Sequence, residues 1–264
     1  MVRSTGAGPA AADARAHVLV PVGTLDSSAQ GDPVELNGDS HHHLARVLRL
    51  RTADPVTITD GHGRWMEARV SADFASSGAL EVTGDVAFVA EPHDVGIAFA
   101  LTKGEKPEIV VQKLTELGVR RIVAFRAARS VVRWDDVKGE RNRQRLEAVA
   151  GAALQQSRGT WLPIVEPLTS LAALRGRTGV VRADRGGRQL RAGVDRLVVI
   201  GPEGGWADEE RSTMPDAVGL PGQVLRAETA AIVGGAMLLS MWVDSLVLDV
   251  SVSNPAFGDG GALP

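Results

Sequence analysis

The chain has 264 residues, 44% hydrophobic and 23% charged, the balance of a folded protein long enough for two modest domains. It contains no cysteine, which excludes disulfides, thiolate metal sites and cysteine nucleophiles, and no apolar run long enough to span a bilayer. Net charge is −3, yet residues 101–160 carry 13 Lys and Arg against 7 Asp and Glu, a local basic field able to steer a polyanion.

Residues 1–16 lack the apolar block of a signal peptide and read as a flexible tail, as do residues 253–264. Together with the missing cysteines this fits a cytoplasmic location. Over 17–90, short segments rich in Val, Ile and Thr predict β-strands: HVLV (17–20), PVTITD (55–60), RWMEARV (64–70) and GALEVTGDV (78–86). Their close spacing points to a small barrel or sandwich. One helix interrupts them, SHHHLARVLRL (40–50), with Ser40 available as its N-cap. On that helix His42, Arg46 and Arg49 fall within about 60° of one another, while Leu44, Val47 and Leu48 face the other way. With His43 they make a candidate phosphate-facing surface. A metal reading of the triple His is disfavoured, because adjacent side chains diverge and no His follows at i+4.

The texture changes at Glu91-Pro92-His93-Asp94, and strands then alternate with helices. GIAFALT (96–102) is a buried-type strand, and 107–118 is a helix with Pro107 at its start and Gly118 past its end. RIVAFR (121–126) is a strand, 139–157 a long helix, and strands recur at 179–182 and 196–201. A helix over 228–244 closes the series. Such alternation predicts a largely parallel α/β sheet.

Two segments concentrate the chemistry. In LVVIGPEGGW (197–206) a buried strand runs into a glycine-rich turn, where the backbone can approach a flat ligand beyond the strand's carboxyl end. Taken alone, it reads equally well as a tight turn. In LPGQVLRAETA (220–230) a short strand leads into an apolar helix, and Glu228 and Thr229 sit where a carboxylate or hydroxyl caps free N–H groups. Gly234-Gly235 inside that helix points to close packing against another backbone, a loop or a second copy.

These two segments, with HHHLARVLRL, KGEKPEIVVQKLTELGV and RSVVRW (129–134), resemble the SPOUT methyltransferases, and in particular the RsmE family of bacterial 16S rRNA uridine-N3 methyltransferases. The likeness runs over nearly the whole chain in the same order. It implies an α/β protein in which an N-terminal PUA-like, RNA-binding β-barrel (17–90) precedes a SPOUT domain (94–252) with a C-terminal trefoil knot. It further implies a homodimer using S-adenosyl-L-methionine on 16S rRNA or the assembled small subunit, with no metal and no membrane. By matching position, Ile200, Gly201, Pro202, Glu203, Gly204 and Gly205 form one cofactor loop. Leu220, Leu225, Arg226, Glu228, Thr229 and Ala230 form the other, and Val181 to Asp184 the third wall. Arg226 and Glu228 are the candidate catalytic pair, for charge stabilisation and proton removal. Lys103, Arg129 and Arg133 join His42, His43, Arg46 and Arg49 as candidate RNA contacts.

The chain departs from the family in RADRGG (182–187) and at Gln223, where Arg is frequent, and Ala227, where Thr is frequent. Ala207 replaces a Ser cap, which leaves Asp208 to cap that helix. Ala152 and Gln155 stand where the family carries Glu. A non-catalytic RNA-binding member of the fold, or a SPOUT enzyme with another RNA target, remains open on the sequence alone.

Overall fold

The structure is a computed structural model that describes residues 3–4, 8–9 and 13–250. The tail expected over 253–264, and half of that expected over 1–16, lie outside the described residues. In the first half, β1 (Arg3–Ser4), β2 (Ala16–Leu19) and β3 (Pro33–Glu35) precede α1 (Gly38–His42) and a π-helical turn, His43–Val47. Then come β4 (Pro55–Thr59), β5 (Arg64–Val70), α2 (Phe74–Ser77), β6 (Ala79–Val82) and β7 (Ala87–Phe88). Seven strands make one sheet ordered β1-β7-β5-β4-β2, with β6 beside β5 and β3 beside β6.

Period-2 patterning explains this half. Along β5, Met66, Ala68 and Val70 are buried while Glu67 and Arg69 face out. The inward set joins Val18, Val34, Leu44, Val56, Ile58 and Leu80 in one core. The helix over 40–50 differs from the expectation in two respects. Its N-cap is Asn37, whose side chain accepts from Ser40 N at 2.8 Å, so Ser40 lies inside the first turn. The widened π-turn then swings Val47 and Leu48 out, leaving them 61% and 39% exposed while only Leu44 is buried.

In the second half β8 (Gly96–Ala100), α3 (Lys106–Leu117), β9 (Arg121–Arg126), α4 (Asp136–Ser157), β10 (Ile164–Ser170) and α5 (Leu171–Arg175) come first. They are followed by β11 (Val180–Arg188), β12 (Leu197–Ile200), α6 (Asp208–Thr213), β13 (Ala217–Val218) and α7 (Ala227–Val250). Six strands form a sheet ordered β10-β9-β8-β12-β11-β13, parallel throughout. Both central strands, β8 and β12, are wholly buried because helices cover both faces. Ile97, Phe99, Val198 and Ile200 point into the core shared with α3, α4 and α7. Their neighbours Ala98, Ala100, Leu197 and Val199 point into the core shared with α5 and α6.

Three further expectations change. The short strand expected to lead into Arg226 is absent: pairing ends at Val218, because Pro221 lacks an N–H and Gly222 has φ +99°. Asp208 does not cap α6. Glu210 does that work, accepting Ala207 N at 2.9 Å and Ala128 N at 2.8 Å, so it also ties down the loop before Arg129. Gly234 and Gly235 pack against side chains of the same chain: a Cβ on Gly235 would lie 2.6 Å from Leu114 Cδ2, and one on Gly234 would lie 3.6 Å from Ile97 Cδ1.

The two halves are stitched by polar contacts around β2 and the end of α4. His17, on β2, is buried between Thr57 Oγ1 and Gly159 O, each 2.8 Å from a ring nitrogen. The carbonyl can only accept, so Nε2 carries the proton and Nδ1 accepts from the Thr57 hydroxyl. Gln155 Oε1 accepts from Leu19 N at 3.2 Å, and Trp161 Nε1 donates to Val89 O at 3.0 Å.

Candidate active site

A cleft of about 470 Å³ opens beyond the carboxyl ends of β11 and β12, where ligands bind in open α/β sheets. Its first wall is the turn after β12. Gly205 N closes that turn onto Pro202 O at 2.9 Å, and Gly205 has φ +71°, a conformation that favours glycine. Gly201 is required for a different reason, since a Cβ there would lie 2.7 Å from Trp206 Cε2. Trp206 in turn donates from Nε1 to Ala183 O at 2.9 Å and stacks on Phe125 with ring centroids 6.1 Å apart. The indole thus pins the glycine turn to β11.

The second wall is the 220–230 segment, which contributes Leu220, Gln223, Val224, Leu225, Arg226, Ala227 and Ala230. Ala183, Asp184 and Arg185 at the end of β11 make the third. Asp184 is fixed there by ion pairs with the buried Arg182 and with Arg211. Arg182 also donates to Met214 O at 2.9 Å, so the wall is braced from behind.

The cleft gathers Asp184, Ile200, Gly201, Pro202, Glu203, Gly205, Leu220, Leu225, Arg226 and Ala230 of the predicted cofactor residues. Val181 lies beneath it in the core, fully buried. Gly204 faces outward against Arg129, whose Nη1 donates to Gly204 O at 3.4 Å. Thr229 is exposed and does not line the cleft. Glu228 sits behind the second wall, its carboxylate 3.6 Å from Lys106 Nζ. Lys106 also pairs with Glu203, and that bond, with the charges of Arg226 and Lys103 behind it, holds the Glu203 carboxyl below the usual range.

Sequence reasoning missed Lys106, Arg185, Trp206, Gln223, Val224 and Ala227 as site residues. The signal for Trp206 was present: an indole at a strand-to-helix turn needs an acceptor for its N–H. Lys106 carried none, because only folding brings α3 to the start of α7. Lys103 and Arg129 are exposed beside the glycine turn, Arg133 is exposed, and His42, His43, Arg46 and Arg49 are exposed on the first domain. No helix among the described residues is long and apolar enough to cross a membrane.

The parallel α/β sheet with its glycine-walled cleft, and the β domain set before it, coincide with the two parts of an RNA methyltransferase that the sequence matches. The sequence pattern of the RNA methyltransferase domain matches residues 89–239, and that of the RNA methyltransferase PUA domain matches residues 36–74. Ribosomal RNA small subunit methyltransferase E of Bacillus subtilis is 34% identical over 223 residues, covering 75% of this chain and 86% of the relative. The Mycobacterium bovis protein of the same name is 32% identical over 251 residues, covering 85% and 93%. A Neisseria gonorrhoeae ribosomal RNA small subunit methyltransferase E, solved bound to S-adenosyl methionine, matches in fold with a TM-score of 0.72 at 22% identity, over 86% of this chain and 98% of that one. A Legionella pneumophila protein solved with the cofactor SAM gives 0.74 at 24% identity, over 85% and 96%. The chain belongs to the ribosomal RNA small subunit methyltransferase E family.

Proposed function

We propose that the chain transfers a methyl group from S-adenosyl-L-methionine to N3 of a uridine in 16S rRNA of the small ribosomal subunit. The observation that carries this reading is the closure of two distant segments, 201–205 and 220–230, around one cleft of about 470 Å³. That size falls in the range of roughly 300–1,000 Å³ typical of small-molecule sites. The lining fits the cofactor. Gly201 and Gly205 would let backbone amides approach a nucleoside, Ile200, Pro202, Leu220 and Leu225 would give it apolar contact, and Asp184 and Glu203 put carboxylates on the lining that suit a cationic group. When bound, the cofactor supplies an electrophilic methyl on a sulfonium.

The chain's own residues do the rest. Uridine N3 carries a proton that must leave as N3 becomes nucleophilic. Arg226, exposed at the cleft mouth, stabilises the negative charge that spreads to the base oxygens. Glu228, 3.6 Å from Lys106 behind the second wall, is the carboxylate we assign to the proton, and taking it requires the side chain to turn from Lys106 toward the cleft. Holding N3 in line with the methyl supplies the larger share of the rate.

In this reading residues 17–90 form the RNA-binding domain and 94–252 the catalytic one, with α7 threaded as a trefoil knot. Two copies form the working unit, in the cytoplasm where small subunits assemble. Arg129, Arg133 and Lys103 contact RNA beside the cleft, and His42, His43, Arg46 and Arg49 contact it on the first domain. The test is incubation with labelled cofactor and unmodified small subunits, followed by mass spectrometry of the rRNA nucleosides. The expected product is N3-methyluridine. Cofactor binding without any methylated nucleoside would indicate a non-catalytic member, and another methylated base a different target.

A further inference from the structure

The first domain carries its own concavity, about 780 Å³, between α1, the π-turn, the end of β5 and α2. Leu50, Val70 and Phe74 supply its apolar part, and His41, His42, Arg46 and Arg51 its polar part. None of its lining residues is acidic. Asp54, close enough to feel the charge of Arg51, is already held by Arg15 Nη1 at 2.8 Å. Neither Arg46 nor Arg51 has an ion-pair partner among the described residues.

Three features mark this hollow as built for a ligand. Phe74, a core residue, meets the half-buried His41 ring edge-on, centroids 4.9 Å apart, and so holds the imidazole at the wall of the hollow. His41 Nε2 is buried without a hydrogen-bond partner, a state rare in folded proteins unless water or a ligand completes it. The backbone around the pocket is unusual as well. The π-turn is a distortion that recurs at functional sites, and two non-glycine residues, Arg49 and Ala53, hold φ of +53° and +67°.

Arginine forks suit phosphate, and aromatic surfaces suit a base taken out of its stack. We infer that this pocket receives one unstacked nucleotide of the RNA, its base against the His41 ring and its phosphate at Arg46 and Arg51. It is not the nucleotide that is methylated, since the cleft belongs to the other domain. His43 and Arg49 do not line the pocket and have no part in this contact. The inference rests on the proposed action on rRNA and adds a second point of recognition to it.

The test separates a filled pocket from a charged surface. Ala75 is exposed on α2 and lines the hollow, so Ala75→Trp occupies the space and leaves every charge in place. Ala72→Trp fills it from a second position. Affinity for transcribed 16S rRNA is read by filter binding with the full chain, alongside cofactor affinity by calorimetry. Either Trp variant is expected to weaken RNA binding about tenfold with cofactor affinity unchanged, consistent with the worth of a base-stacking contact. Arg46→Ala with Arg51→Ala is expected to weaken it similarly and to lower the salt dependence by about one phosphate contact. RNA affinity within twofold of wild type in both Trp variants overturns the inference, even if the double Arg variant binds poorly. Binding is read without turnover. A wild type that grips RNA through this pocket and transfers no methyl therefore sinks the methylation reading and leaves this one standing.

Discussion

Lys106 Nζ stands 3.6 Å from Glu228 Oε2 and also pairs with the Glu203 carboxylate, so one side chain at the start of α3 joins both walls of the cleft. Glu228 Oε2 is buried and accepts no hydrogen bond, which leaves Lys106 as the charge that offsets it. Lys106→Met should therefore loosen both walls. Cofactor affinity by calorimetry is expected to fall about two- to fivefold, in the range of a lost ion-pair contact. Lys106→Arg should recover most of it. Equal affinities for the wild type and the Met variant would show that the walls hold without this bridge.

Arg226 and Glu228 divide between them the charge and the proton of the target base. Arg226→Ala and Glu228→Gln are each expected to lower single-turnover rates by about 10²–10⁴ with cofactor and rRNA saturating, the span of general acid–base catalysis. Cofactor affinity should change much less. Near-wild-type turnover in both variants would remove them from the chemistry.

The two adjacent glycines of α7 should respond oppositely to alanine. At Gly235 a Cβ would lie 2.6 Å from Leu114 Cδ2 and 3.3 Å from Val119 Cγ2, both on fully enclosed side chains. Overpacking there is expected to cost about 1–3 kcal/mol. At Gly234 the nearest atoms are at 3.6–3.7 Å, ordinary contact, so Gly234→Ala should gain part of the roughly 1 kcal/mol of helix propensity. Thermal melts should move down for the first and up for the second.

His17 makes stability depend on pH. Burial, aided by the nearby Arg158 charge and opposed by the hydrogen bond to Gly159, lowers its pKa from 6.5 to about 4. Between those values the unfolded chain binds the extra proton and the folded chain does not, so stability falls as pH drops from 6.5 toward 4 and is complete above 6.5. The full effect is about 3 kcal/mol, from about 1.4 kcal/mol per pKa unit. Urea midpoints should decline over this window in the wild type and decline less in His17→Gln. Parallel pH profiles would assign the acid sensitivity elsewhere.

Much of this arrangement was legible in the chain because local pattern and tertiary demand agree. The buried run Leu197–Ile200 became a central strand, and Gly201 to Gly205 made the turn that its glycines suggest. Pro107 and Gly118 bracket α3 as read. The pattern misled where tertiary context chose among local options. Val47 and Leu48 fit a helix face, but the π-turn rotates them to solvent. Residues 220–225 look extended, yet Pro221 and Gly222 make them a cleft wall. Asp208 stood at the right place to cap α6, but Glu210 reaches back to Ala207 N and also holds Ala128 N. Lys106 and Trp206 were out of reach for a simpler reason: their partners lie 97 and 23 residues away in sequence, and only the fold brings them together.

A crystal structure of the chain grown with S-adenosyl-L-methionine tests the central claim most directly. The account predicts density for a folded nucleoside in the cleft, bordered by Gly201–Gly205 on one side and Leu225–Ala230 on the other, with Asp184 at the third wall. Density for the cofactor at another place on the molecule, or a cleft filled by side chains at saturating cofactor, would contradict it.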